Sequence, residues 1–152
     1  MTRKTARQIA VQLLFSMETN ALPPEEAADL FFSEEHYASL PEEDLSFGEE
    51  ADENSVAYIR RLIETVSAHR AELDEIIGRY ARGWKTDRLS AATRTILRVC
   101  LCEILYFDDV PDSAAVNEAV ELGKTFDSPE AASFINGVLG SFLRAEKPGK
   151  AE

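Results

Sequence analysis

Apolar residues recur at helical spacing almost from the start of the chain. Ala6, Ile9, Ala10, Leu13, Leu14 and Met17 follow one another at alternating intervals of three and one, the repeat of a single helical face. Thr5 is one candidate N-cap, and Thr2 is the alternative if the helix begins earlier. Over 20–54 the pattern lapses. Pro23, Pro24, Pro41 and Gly48 punctuate this stretch. Glu25 to Phe32 reads as a short helix anchored by Leu30, Phe31 and Phe32, and 41–54 as a solvated loop with few apolar residues to repay its ordering. Periodicity returns with Val56, Ile59, Ile63 and Val66, then with Leu73, Ile76, Ile77 and Tyr80 after a change of phase near His69 to Ala71. Two helices are predicted, over 54–68 and 71–81. Gly83 is expected to end the second, with Trp84 packed beside the join.

Ser90 is predicted to cap the next helix, whose apolar residues Ile96, Leu97, Cys100, Leu101, Ile104 and Leu105 leave almost no polar side. Such a helix belongs at the centre of a core. Asp109-Val110-Pro111 interrupts the chain, and Val116, Ala119, Val120 and Gly123 then mark an amphipathic helix of about three turns. Ser128-Pro129 is an N-cap followed by proline at the first helical position. Ala131, Ile135, Val138, Leu139 and Phe142 carry the last helix, and Lys147-Pro148-Gly149 ends it in a frayed tail. Asn136-Gly137 has the composition of a hairpin turn, but no alternating strands flank it. Gly137 is assigned instead to close helix packing, against about 1 kcal/mol of helix propensity. No strand pattern of useful length occurs, so the fold class is all-α.

Charge changes this picture in one place. The 152 residues include 28 acids and 16 Lys or Arg, for a net charge of −12. Residues 18–54 hold 13 of the acids and no Lys or Arg, so this segment carries −13 and the rest of the chain +1. A uniformly basic nucleic-acid coat protein is excluded, because phosphate binding needs positive charge. A local basic site is not excluded: Arg3, Lys4 and Arg7 stand in the first 17 residues with no acid among them. Arg3 and Arg7 are four apart, as are Lys4 and Gln8, which predicts that these side chains stack on the exposed side of the first turns.

Other chemistry is sparse. Cys100 and Cys102 lie two apart, about 200° around a helix, which suits neither a disulfide nor a shared metal and predicts buried thiols. His36 and His69 have no neighbours at metal-ligand spacing, and neither a Gly-rich phosphate loop nor a nucleophile elbow is present. The expectation is a binding module without catalytic residues, metal or cofactor. No apolar run reaches the ~18 residues of a membrane span, and the opening residues lead into no signal-peptide core, which predicts a cytoplasmic protein.

Three stretches together resemble the NusB family of transcription antitermination factors. The first is Ala6-Arg7-Gln8-Ile9-Ala10-Val11-Gln12-Leu13-Leu14-Phe15-Ser16. The second runs from Trp84 through Asp87-Arg88-Leu89 to Ile96-Leu97-Arg98 and Glu103-Ile104-Leu105-Tyr106. The third joins Asp109-Val110-Pro111 to Val116-Asn117-Glu118-Ala119-Val120-Glu121-Leu122, Lys124-Thr125-Phe126 and Phe134-Ile135-Asn136-Gly137-Val138-Leu139, and is the most specific. The resemblance spans most of the chain except 20–54. It implies two packed helical lobes, each roughly a three-helix bundle: an amino-terminal one over about 1–82 with an acidic insert at 20–54, and a carboxy-terminal one over about 84–146. It also implies binding of boxA-type RNA from ribosomal RNA leaders, together with the ribosomal protein NusE, within an antitermination complex on RNA polymerase. Monomer and homodimer both remain open.

By the same resemblance, Arg3, Lys4, Arg7 and Gln8 form a basic RNA-binding region, with Lys124 and Phe134 as further RNA candidates. Arginine can neutralise a phosphate or stack on an unpaired base. The plain alternative is a solvated helix start, although cations there oppose the helix dipole. Phe15 lies off the main apolar face and matches an aromatic position near the protein partner, or packs one lobe on the other. Thr93 and Arg94 match the partner-facing part of the family motif, or are ordinary surface residues. Asn117 and Glu118 are read as tying the Asp109-Val110-Pro111 turn to its helix, and Tyr80 as core. Asp112-Ser113-Ala114 and Ala131-Ala132-Ser133 stand where many members carry basic or polar residues, which predicts weaker RNA affinity without the partner. Two rivals remain. One is the RNA-docking domain found fused to ribosomal RNA cytosine methyltransferases, disfavoured here by the lack of a methyltransferase part. The other is a protein-binding helical scaffold without RNA recognition.

Overall fold

Thr2 rather than Thr5 starts the first helix. Its hydroxyl accepts a hydrogen bond from the Thr5 amide at 3.1 Å, and helix α1 runs Arg3–Asn20. In the computed structural model, which describes residues 1–33, 52–81 and 89–146, the described residues form seven α-helices and no strand. The acidic stretch from 34 to 51 with His36, the Gly83-Trp84 join and the tail after 146 lie outside the described residues, and so do most of the expected loop over 41–54 and the expectations attached to them.

Two units are formed, Met1–Ser67 and Ala68–Glu152. In the first, α1 ends at Ala21, whose left-handed backbone (φ 54°) breaks the helix while its amide still reaches Met17 O at 2.9 Å. The short α2, Pro24–Phe31, opens with proline at its first position and with Glu25 and Glu26 in its first turn, where the helix dipole favours them. It rests on Ala27 and Ala28, not on Leu30, which is 62% exposed. Leu30 lies about 200° around the helix from Ala28 and about 60° from Ala27, off to one side of the buried face. Helix α3, Glu53–Ala68, buries Tyr58, Ile59, Leu62, Ile63 and Val66. The Asp52 carboxylate accepts from the Ser55 amide at 2.8 Å at its start, and Arg60 Nη2 meets Asp29 of α2 at 2.7 Å.

The second unit contains α4 (Arg70–Tyr80), α5 (Ala91–Tyr106), α6 (Asp112–Phe126) and α7 (Pro129–Glu146). Helix α4 packs with α5 and α7 and belongs to the second unit, whereas the resemblance implies an amino-terminal lobe reaching to about 82. Ser90 caps α5 by accepting from the Thr93 amide at 3.1 Å. Every residue from Thr95 to Ile104 is buried, as the near-absence of polar positions predicts, and both cysteines are buried thiols outside any disulfide. Two charged residues of this run, Arg98 and Glu103, are buried with it. Arg98 makes a two-pronged pair with Asp74 of α4, at 2.7 and 2.9 Å.

Helix α6 begins directly after Pro111 and has 15 residues, a turn more than its apolar stripe indicates. It meets α7 closely at Gly123, where a Cβ would lie 2.9 Å from Ile135 Cδ1 and 3.1 Å from Ala132 Cα. Gly137, which the sequence assigned to close packing, has open space where its Cβ would be. Ser128 caps α7 through the Ala131 amide at 3.0 Å.

Candidate nucleic-acid interface

The start of α1 carries two exposed cations, Arg3 and Lys4, and no acid in its first turn. Arg3 is held in place. Its guanidinium carbon lies 3.8 Å from the ring centroid of Tyr58 on α3, a cation–π contact of the kind worth about 0.5–1 kcal/mol at an exposed site. The Met1 ammonium reaches the Asp52 carboxylate at 2.7 Å. That ammonium and Ser55 together hold the Asp52 carboxyl well below the usual carboxylate range. The α1 start is thus tied to the α3 start, and Arg3 presents its charge in a fixed orientation.

Arg7 departs from expectation. It is only 6% exposed and is engaged by other groups. Between Thr5 and Leu14, α1 buries nearly its whole circumference, with Gln8 and Gln12 as the half-buried exceptions. The four-residue step from Arg3 therefore carries Arg7 into the interior, while the parallel step from Lys4 leaves Gln8 at the surface. Phe15 lies on the same helix and is 45% exposed.

In the second unit the expected site residues separate by environment. Thr93 is 4% exposed, and its hydroxyl donates to the Asp127 carboxylate at 2.8 Å, beside the Ser90 hydroxyl at 2.5 Å. It fastens the start of α5 to the corner between α6 and α7. Arg94 next to it is half-buried and donates from Nη1 to the Leu89 carbonyl at 2.7 Å. Lys124 is exposed in the last turn of α6, with Glu121 at a long 3.4 Å. Phe134, half-buried on α7, lines an open groove of about 450 Å³ with Tyr80, Gly137, Val138 and Arg144.

Tyr80 is not simply core. Its ring meets Phe142 edge-on with centroids 5.9 Å apart, and its hydroxyl donates to the Glu146 carboxylate. That bond raises the Tyr80 hydroxyl's pKa and, with Arg79 at 3.2 Å, lowers that of Glu146. A second groove of about 320 Å³ lies between α6 and α7, with Asn117, Val116, Gly140 and Arg144 among its walls. Asn117 is exposed there.

Sequence reasoning missed Tyr58, whose aromatic face is invisible as a platform until α3 meets α1. It missed Arg144 too, for a lone arginine in a last helical turn reads as a solvated residue suited to the helix dipole. Among the described residues no helix is long and apolar enough to cross a membrane, and no cluster of His, Cys, Asp and Glu is arranged to hold a metal ion.

Residues 4–144 of the chain match the NusB family. The transcription antitermination protein NusB of Symbiobacterium thermophilum is 41% identical over 147 residues, covering 97% of this chain and 92% of that protein. In fold the chain is similar to T. maritima NusB, with a TM-score of 0.80 at 23% identity over 99% of this chain and 96% of the other. It is likewise similar to a chain in the crystal structure of antitermination factors NusB and NusE in complex with dsRNA. There the TM-score is 0.74 at 24% identity, with 94% and 96% of the two chains covered.

Proposed function

Since this chain belongs to the NusB family, we propose that it is a cytoplasmic transcription antitermination factor that binds boxA-type RNA with the ribosomal protein NusE, as part of a complex on RNA polymerase. The observation that carries the RNA reading is the start of α1. Two exposed cations stand at the positive end of a helix dipole with no acid in the first turn, and one is stacked on a tyrosine. Each placement costs a few tenths of a kcal/mol to about 1 kcal/mol of helix stability, and an anionic ligand at the same spot reverses that cost. Arg3 and Lys4 then neutralise phosphates, Gln8 offers a neutral hydrogen-bonding group one turn on, and the buried Arg7 supports the surface from beneath. Phe134 offers a ring edge for a base in the second unit, with Lys124 as a further cation.

Phe15 and Arg94 are assigned to the protein partner. An exposed phenylalanine is the kind of anchor that an interface buries, and Arg94 contributes directed donors. Thr93 acts indirectly, through its hold on the start of α5. The role is binding, with no reaction assigned.

The test is a salt titration of binding to single-stranded boxA-type RNA, with and without NusE. Replacing Arg3 and Lys4 together by Glu should weaken binding and reduce the salt slope by roughly 1.4, for two lost phosphate contacts on a single strand. Unchanged affinity in that double variant would remove RNA from this surface. Absence of RNA binding by the natural sequence in both conditions would leave a protein-binding scaffold.

A further inference from the structure

We propose that Arg144 is a phosphate-binding residue of the RNA surface, set on the wall shared by two grooves that receive successive bases. The inference rests on the reading of this chain as an RNA-binding protein and extends it to a residue outside the matched motifs. Two open grooves of the second unit, of about 450 and 320 Å³, include Arg144 in their lining. The first is lined by Tyr80, Phe134 and Gly137, and at Gly137 a side chain would meet nothing within 4 Å. Aromatic edges beside an uncluttered backbone suit the flat face of an unpaired base. In the second groove, Asn117 can both donate and accept at a base edge.

Arg144 lies where the linking phosphate of two such nucleotides falls. Its Nη1 is 3.2 Å from the point where Gly140 would carry a Cβ, so the absence of a side chain at 140 lets the guanidinium lie over the helix between the grooves. A cation serving only the helix dipole needs no such seat. Among the described residues, no carboxylate pairs with this cation either. Arg79 meets Glu75 and Glu146, Arg98 meets Asp74, and Lys124 faces Glu121. Arg144 instead donates to the neutral Ser141 hydroxyl at 3.3 Å. Two acids stand near the grooves. Glu146 is compensated by Arg79 and the Tyr80 hydroxyl. Asp112, on the far groove, disfavours a phosphate there and leaves the shared wall as the phosphate position.

The experiment uses the full chain with NusE and a single-stranded boxA-type RNA oligonucleotide, titrated across salt concentration. Arg144→Gln should weaken binding roughly tenfold, the scale of one charge-assisted hydrogen bond, and make the salt slope shallower by roughly 0.7. Arg144→Lys should restore the slope and part of the affinity, because it keeps the charge without the planar fork. Arg144→Gln binding like the natural sequence, while the Arg3 and Lys4 reversal still weakens RNA, would overturn this inference and leave the proposed function standing. A slope that Arg144→Lys fails to restore would also overturn it. Should the natural sequence with NusE bind no RNA, the proposed function falls and this inference with it.

Discussion

Two arginines show how differently one side chain is used in two regions of this molecule. Arg98, in the middle of α5, is buried and locked in a two-pronged pair with Asp74. Arg3, at the start of α1, is exposed and lies on the Tyr58 ring. The first has its charge answered inside the fold and turns nothing toward solvent. The second is held at the surface, where an aromatic face orients its guanidinium without enclosing it in the core. The neighbour, rather than the residue type, separates an arginine that builds the fold from one that can meet a ligand. The second unit repeats the lesson with glycines. Gly123 is filled by its surroundings, and Gly137 opens onto a groove.

The contrast can be broken by substitution. Arg98→Ala strands Asp74 and leaves a void beside α5; breaking such a pair costs about 3 kcal/mol when buried, and Asp74 is partly solvated, so a loss of about 2–3 kcal/mol is expected from urea unfolding. Arg3→Ala should shift the same measurement by less than about 1 kcal/mol, the scale of one exposed cation–π contact. Equal losses at the two sites would dissolve the distinction. Next in size, Gly123→Ala should destabilise by about 1–3 kcal/mol, because the new methyl meets Ile135 and the Ala132 backbone. Gly137→Ala should instead stabilise by up to about 1 kcal/mol through helix propensity. Thermal melts of the two variants moving in the same direction would contradict the packing described.

The smallest effect is one of pH. The Tyr106 hydroxyl donates to Glu72 while its ring stacks on His69, centroids 4.2 Å apart. The bond to Glu72, aided by partial burial, pushes the Tyr106 hydroxyl up to about 12. Its protonated form is thus favoured by folding, so the stabilisation is complete below the unfolded value near 10 and fades as pH rises from about 10 to about 12. Stability of Tyr106→Phe should fall less steeply across that window. Parallel curves would show that this hydroxyl does not contribute.

What the sequence disclosed follows from what local rules can decide. Helical stripes and caps are one-dimensional, so the α3 and α4 spans, the caps at Ser90 and Ser128 and the buried run of α5 were all legible. Thr2 was legible only as an alternative to Thr5, since either hydroxyl could serve. Leu30 misled because hydrophobicity was weighed without its angle from Ala28. Arg7 misled because one apolar stripe was counted on α1, where the structure buries nearly the whole circumference. Gly123 and Gly137 look alike in sequence, and only the course of α7 past α6 tells the crowded one from the open one. The candidate site shows the same limit. The cations of the α1 start could be read directly, but the Tyr58 platform and the seat of Arg144 exist only once helices distant in sequence are neighbours.

Burial of every residue from Thr95 to Ile104 also sets a clock within the protein. The amides of that run are hydrogen-bonded within α5 and shut away from water on every side, so solvent deuterium reaches them chiefly when the whole second unit opens. Their exchange rates report the free energy of that opening. Amides near the start of α1, where the helix meets solvent, exchange through local fraying instead. Protection gained there on adding RNA, with the α5 rates unchanged, would mark the footprint of a bound strand without substituting a single residue.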